Sequence, residues 1–176
     1  MPQCPVDSFW AAEIPNLHSL IQKLIAHFDA DPSRIYLTGL SMGGFGTWDV
    51  LMRHNDLFAA GIPVCGGGDP SKAELLKETP IFTFHAVNDT SVPYTGTSMT
   101  VAAIKRAGGE KIEYTQYSSG GHGIWNQAIQ TKGLLEKLLI PLVFVYDLNT
   151  CVAEVLIHVV DLRRRQIELF KDVKKC

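Results

Sequence analysis

The chain has little charge of either sign and almost no imbalance between the two. Its 176 residues include 16 Lys and Arg against 18 Asp and Glu, for a formal net charge of −2. A basic footprint for nucleic acid is therefore absent, and no nucleic-acid partner is expected. Long apolar runs are missing as well. Leu138–Val145 is short and holds Pro141, and Val152–Val160 is broken by Glu154 and His158. Neither approaches the roughly 20 apolar residues of a membrane span, so none is expected. Cysteines are few and scattered: Cys4, Cys65, Cys151 and Cys176 form no C-x-x-C pair. They fit neither a zinc site nor a disulfide framework and read as separate thiols. With no cluster at metal-ligand spacing, neither metal nor cofactor is expected. Gly66-Gly67-Gly68 matches neither G-x-G-x-x-G nor G-x-x-x-x-G-K-[ST], so phosphate cradling is not expected either. Met1–Asp7 shows no basic segment followed by an apolar one, so a signal peptide is not expected, and the compartment stays unknown. There are no internal repeats and no low-complexity linker.

What is present is an ordinary core-forming composition, 46% hydrophobic, long enough for one domain. Ile14, Leu17, Leu20, Ile21, Leu24, Ile25 and Phe28 recur at helical spacing, with Pro15 in the expected first turn and Asp31-Pro32 beyond the end. Short apolar runs at Arg34–Thr38, Ala60–Cys65 and Ile81–Val87 read as strands, and Ile112–Tyr117 alternates as one. Helices are expected at Gly43–His54, Ser71–Lys77, Thr97–Ala107 and Trp125–Ile140, the last with a break near Gly133. This alternation predicts an α/β class, with a mainly parallel sheet and helices on both faces. Residues 1–140 form the expected core. Residues 141–176 differ in balance, at +1 against −3 for the rest, and read as a terminal extension of unclear packing. Within it, Pro141–Tyr146 reads as a strand and Cys151–Asp172 as a helix.

The chemistry gathers at Gly39-Leu40-Ser41-Met42-Gly43. A strand runs in and a helix runs out, so Ser41 is carried on a sharp turn and pushed into a cleft. The turn is tight enough that a Cβ at position 39 or 43 is expected to collide. A serine hydroxyl is a poor nucleophile until a base is within hydrogen-bond reach and that base is itself oriented. Asp89 and His122 follow in the order Ser-Asp-His, each just past a predicted strand, at the carboxyl edge where α/β sheets bind ligands. His122 stands between glycines on a loop, whereas His18, His27 and His54 fall on predicted helices and His85 ends a strand, where structural roles are expected. Asp69, also in a loop after a strand, is the rival acid. The Met42 N–H, at a helix N-terminus beside the nucleophile, is the expected oxyanion donor. Trp10 and Trp125 are candidate walls for a substrate, with core packing as the alternative for both.

Pro2-Gln3-Cys4-Pro5 with Trp10, the string Asp31-Pro32-Ser33-Arg34-Ile35-Tyr36-Leu37-Thr38-Gly39-Leu40-Ser41-Met42-Gly43-Gly44, Asn88-Asp89 and Gly121-His122 together resemble the α/β-hydrolase carboxylesterases. The nearest group is the phospholipase/carboxylesterase-like enzymes, which include feruloyl-esterase-like and peptidase-like proteins. The resemblance covers about residues 2–140. It implies a serine esterase with Ser41, Asp89 and His122 as triad, Met42 as oxyanion donor, an acyl-enzyme intermediate and a small-molecule ester substrate. In that family, strands and a second oxyanion loop precede the Pro-Gln-Cys-Pro segment, and a glycine follows the strand-end histidine where this chain has Ala86. The expectation is therefore an α/β-hydrolase sheet lacking its first strands, with an unpaired edge that favours homo-oligomers, and slow ester turnover at a still-reactive Ser41. A peptidase or amidase on the same triad, and a degenerate fragment that binds without turnover, are the competing readings.

Overall fold

The computed structural model describes residues 2–134 and 155–158. Helix α1 spans Trp10–Phe28 and is followed by strand β1, Tyr36–Leu40. Helix α2 (Met42–His54) leads to β2 (Ala60–Val64), and a 3-10 turn over Pro70–Leu76 leads to β3 (Ile81–Ala86). Helix α3 (Thr95–Arg106), β4 (Ile112–Tyr117) and the short α4 (Trp125–Ile129) complete the run, and β5 is Val155–His158. The sheet order is β4-β3-β2-β1-β5. Strands β1 to β4 are parallel, in register from Tyr36 opposite Ala60 to Leu40 opposite Val64, and from Ile81 opposite Ile112 to Ala86 opposite Tyr117. The predicted α/β class and parallel sheet are thus present.

Side chains alternate across the sheet, as a period of two requires. Leu37, Ile81 and Ile112 pack with Ile14, Ile21, Trp48, Leu51, Val101 and Ile104 under α1, α2 and α3. Tyr36, Val64, Phe84 and Ala86 pack on the other face with Ile124, just before α4, and Ala128 within it. Both faces of β1, β2 and β3 are covered, which is why they read as largely apolar runs, whereas β4, at the edge, alternates.

Three expectations need correction. Helix α1 begins at Trp10, so Pro15 lies inside it rather than in its first turn. Proline there removes one backbone hydrogen bond, and the upstream turn is held by good helix formers, Ala11 and Ala12. Ser8 Oγ also donates to Glu13 Oε1 at 2.6 Å across the helix start. Second, the helix expected over Cys151–Asp172 gives way to strand at Val155–His158. Third, the edge of β1 that was expected to be open is paired. β5 runs antiparallel along it, from Tyr36 opposite His158 to Gly39 opposite Val155. Both outcomes have one cause. The outer edge of β1 presents a row of N–H and C=O groups that need partners, and an apolar, β-branched segment can supply them. The outermost strand on that side of the sheet is then β5. Helix α4 stops at Ile129, just before the break expected near Gly133, and its continuation from residue 135 toward Ile140, like the expected strand at Pro141–Tyr146, lies outside the described residues.

The sheet's carboxyl edge is tied together beyond the strands. Ser41 N–H donates to Val64 O, Cys65 N–H to Phe84 O and Val87 N–H to Tyr117 O, each at 2.9 Å. The residues after β1, β2, β3 and β4 therefore stand at one level. Helix α2 lies close on β2 because Gly44 and Gly66 meet without side chains. A Cβ at Gly44 would stand 2.4 Å from Val64 O, the carbonyl that holds Ser41. Gly44→Ala should therefore destabilise the fold by about 1–3 kcal/mol, the range of overpacked sites, and displace the turn carrying Ser41. A thermal melt together with a hydrolysis assay checks both effects.

Candidate active site

Ser41 is the single residue between β1 and α2. Its backbone sits at φ 58°, ψ −118°, a region a β-carbon disfavours by on the order of 1–3 kcal/mol. Nothing gentler turns a strand into a helix in one residue. The Phe45 N–H donates to Ser41 O at 3.0 Å, closing the first helical turn. The N–H of Met42, the first helical residue, precedes that bond and has no intrahelical acceptor by geometry.

Asp89 and His122 are brought together. His122 Nδ1 lies 2.7 Å from Asp89 Oδ2. Both come from loops that follow adjacent strands, β3 and β4. The loops are clipped to each other where Gly121 N–H donates to Asn88 Oδ1 at 2.9 Å. Gly120 and Gly121, at φ 120° and 59°, take conformations that let the loop fold back over the sheet edge. Asp89 is buried and His122 is 28% exposed at its side chain, so the pair has one sheltered and one open end. Asp89 Oδ1 accepts from the N–H groups of Ser91 and Val92, each at 2.9 Å.

Burial pushes the Asp89 carboxyl up, but the Val92 amide, His122 and the Ser91 amide outweigh it and hold the group below its ordinary value. Asp89 is therefore a carboxylate at neutral pH and can only accept. The proton of the pair sits on His122 Nδ1, which leaves Nε2 of the neutral ring with its lone pair free. The lowered value has a stability consequence. Ionised Asp89 stabilises the fold above the ordinary carboxylate range, and that contribution is lost as pH falls through the lowered value. Melts of the wild type and of Asp89→Asn should differ at neutral pH and converge toward acid.

Asp69, the rival acid, is spent elsewhere. It caps the 3-10 turn, accepting from Ser71 N–H at 3.0 Å and Ser71 Oγ at 2.7 Å, with Lys72 at 3.6 Å. The Gly66–Gly68 loop is held between α2 and α3. Gly66 O accepts from Trp48 Nε1 at 3.2 Å, and Gly68 N–H donates to Thr100 Oγ1 at 3.1 Å. Trp10 is a core residue rather than a substrate wall. It is 4% exposed, and its ring occupies the space that a Cβ on Gly46 would need. Trp125 is half-buried against the α4-side cluster. Phe45, 44% exposed on the first turn of α2, is an apolar side chain at the elbow that the sequence reading passed over.

Two further residues surround Asp89. Cys65 Sγ, a ring nitrogen of His85 and an Asp89 carboxylate oxygen lie within 4.8 Å of one another, and all three residues are buried. This set holds its own protons. Burial, then the Asp89 charge and a hydrogen bond to Asp89, push the Cys65 thiol up to about 12. His85 Nε2 faces Asp89 Oδ2 at 3.1 Å and Val92 O at 3.0 Å, both acceptors. The donors are committed to a hydrogen-bond network, not arranged as a thiolate cage. Cys65 should accordingly resist iodoacetamide at pH 8 in the folded protein and react after denaturation, as peptide mapping would show. Among the described residues, no helix is long and apolar enough to cross a membrane.

Residues 7–134 match the Phospholipase/Carboxylesterase family. A probable carboxylesterase, SOBER1-like, of Arabidopsis thaliana is 27% identical over 123 residues, covering 66% of this chain and 46% of that protein. Poly(3-hydroxyalkanoate) depolymerase C of Paucimonas lemoignei is 36% identical over 55 residues, 31% of this chain and 13% of that one. Among solved structures, a thermostable esterase superposes with a TM-score of 0.74 at 38% identity, covering 78% of this chain and 42% of its own. Arabidopsis thaliana SOBER1 gives 0.58 at 25% identity, covering 68% and 59%. The chain thus spans less than half of the curated relatives it matches. A family match over most of the described core, on a sheet of the same architecture, places this chain in the phospholipase/carboxylesterase family of α/β hydrolases.

Proposed function

We propose that the protein is a serine hydrolase acting on carboxylic esters. The observation that carries this reading is the strained backbone of Ser41, set at the same sheet edge as the His122–Asp89 pair. Strain of that size persists only where the surroundings enforce it, and the result here is a half-buried serine at a helix N-terminus. In the proposed reaction His122 Nε2 takes the Ser41 proton as Oγ attacks the ester carbonyl carbon. The carbonyl oxygen becomes an oxyanion, and the Met42 N–H at the positive end of α2 donates to it. The tetrahedral intermediate collapses, the C–O bond to the alcohol breaks, and His122 returns its proton to the leaving alkoxide. Water then repeats the sequence on the acyl-enzyme, releasing the acid and free Ser41. Asp89 holds the His122 tautomer and offsets the imidazolium charge in both halves.

Family membership supports ester rather than amide cleavage, and the thermostable esterase at 38%, the depolymerase at 36% and the SOBER1-like probable carboxylesterase at 27% identity are named for ester cleavage. Matched ester and amide substrates with a common acyl group test this choice. Faster turnover of the ester by orders of magnitude is expected. Comparable rates on the amide would move the reading to a peptidase.

A further inference from the structure

His85 was expected to be structural, and its surroundings say more. It is the last but one residue of β3, on the face covered by α3, and is wholly buried. Its Nδ1 lies 2.7 Å from the Thr97 hydroxyl oxygen of α3, and that oxygen also lies against Gly66 O. Gly66 in turn lies against the Gly44–Phe45 backbone of the helix that carries Ser41. On the other side of the ring, Asp89 Oδ2 and Val92 O can only accept, so Nε2 carries a proton and donates.

The carboxylate oxygen that His85 reaches is the one that holds His122. Asp89 Oδ2 receives His122 Nδ1–H at 2.7 Å and His85 Nε2–H at 3.1 Å, while Oδ1 receives two amides. A carboxylate has about four lone-pair directions, and here His122, His85 and the Ser91 and Val92 amides supply four donors, with the Cys65 thiol beside them. It cannot rotate without breaking a bond. A histidine serving only to fill the core would be cheaper as leucine, because a buried ring must satisfy both nitrogens.

We propose that His85 is a positioning residue of the hydrolytic site, fixing the Asp89 carboxylate toward His122 and drawing electron density away from Oδ2. The proposal rests on the serine-hydrolase reading. It has two separable consequences. Without the His85 donor Oδ2 is held by His122 alone and the carboxylate is less tightly fixed, and a misplaced orienting group costs about 10- to 100-fold in kcat, with KM little changed. Oδ2 also becomes a stronger acceptor, so it stabilises the His122 imidazolium more. The ascending limb of the kcat/KM profile then moves to higher pH. The titratable groups around this point are Asp89 after β3, His122 after β4 and Cys65 after β2, and α3 presents the uncharged Thr97.

The test compares His85→Leu, His85→Gln and His85→Asn, each checked for folding by thermal melting. The Gln side chain can place an N–H near the former Nε2, whereas Asn cannot reach it. The Leu and Asn variants should lose kcat and shift the ascending limb upward, and Gln should restore both toward wild type. If Leu does not fold, the Gln–Asn comparison decides alone. Equal damage in Gln and Asn, an unmoved limb, or no loss in any variant would overturn the proposal. The downfield proton resonance of His122 Nδ1–H supplies a reading that needs no turnover. It should move in Leu and Asn and return in Gln, even if the wild type proves to hydrolyse no ester. An unmoved resonance in all three contradicts the positioning role, whereas an absent activity in the wild type contradicts the hydrolase reading.

Discussion

Ser41→Ala should abolish ester hydrolysis and covalent labelling by a fluorophosphonate together. The proposed acyl-enzyme forms on Ser41 Oγ, at the one strained turn between β1 and α2, and alanine there offers no atom that can be acylated. The turn itself should survive, since alanine keeps the Cβ that Ser41 already accommodates. The loss in kcat should be on the order of 10⁴–10⁶, because members of such a triad act as a unit and removing one removes most of the effect. His122→Ala should cost about as much. A melting temperature near wild type would show that chemistry rather than folding was lost. A residual rate above one hundredth of wild type would mean that another group carries the nucleophile's role.

Asp89→Asn should cost about 10³–10⁴ in kcat. The amide nitrogen or oxygen would face His122 Nδ1 at the 2.7 Å contact. The replacement is neutral and can present a donor where only an acceptor works, so the ring can flip tautomer and lose its lone pair toward Ser41. Asp69→Asn should leave the rate unchanged within a few-fold, because Asp69 serves Ser71 and Lys72 at the start of a 3-10 turn. The pair of variants assayed side by side separates the two carboxylates. A larger loss at Asp69 would contradict the geometry described above.

Much of this was legible in the residues. The Gly39–Gly43 pattern, with an apolar run before and a helix after, announces a strand-turn-helix with one residue to spare, and backbone sterics leave Ser41 little choice. The meeting of Asp89 with His122 was expected because each follows a strand in a parallel sheet, and the carboxyl ends of parallel strands share one edge. What stayed hidden depends on tertiary pairing. Nothing local says that Val155–His158 is a strand. The segment is apolar enough for either state, and the open edge of β1 decides. Trp10 reads equally as wall or core until Gly46 is seen beneath its ring. His85 looked like an ordinary strand-end residue. Its one local signal was its place four residues before Asp89, which suffices to bring the ring back onto the carboxylate once the chain turns after Ala86.

The central claim is that Ser41 is an activated nucleophile, and one measurement addresses it directly. The folded protein is treated with a fluorophosphonate, digested with trypsin and mapped by mass spectrometry. The label should fall on the peptide between Arg34 and Arg53, whose one serine is Ser41, and should disappear in His122→Ala. Failure of the folded protein to label, or a label on any other residue, would contradict the account.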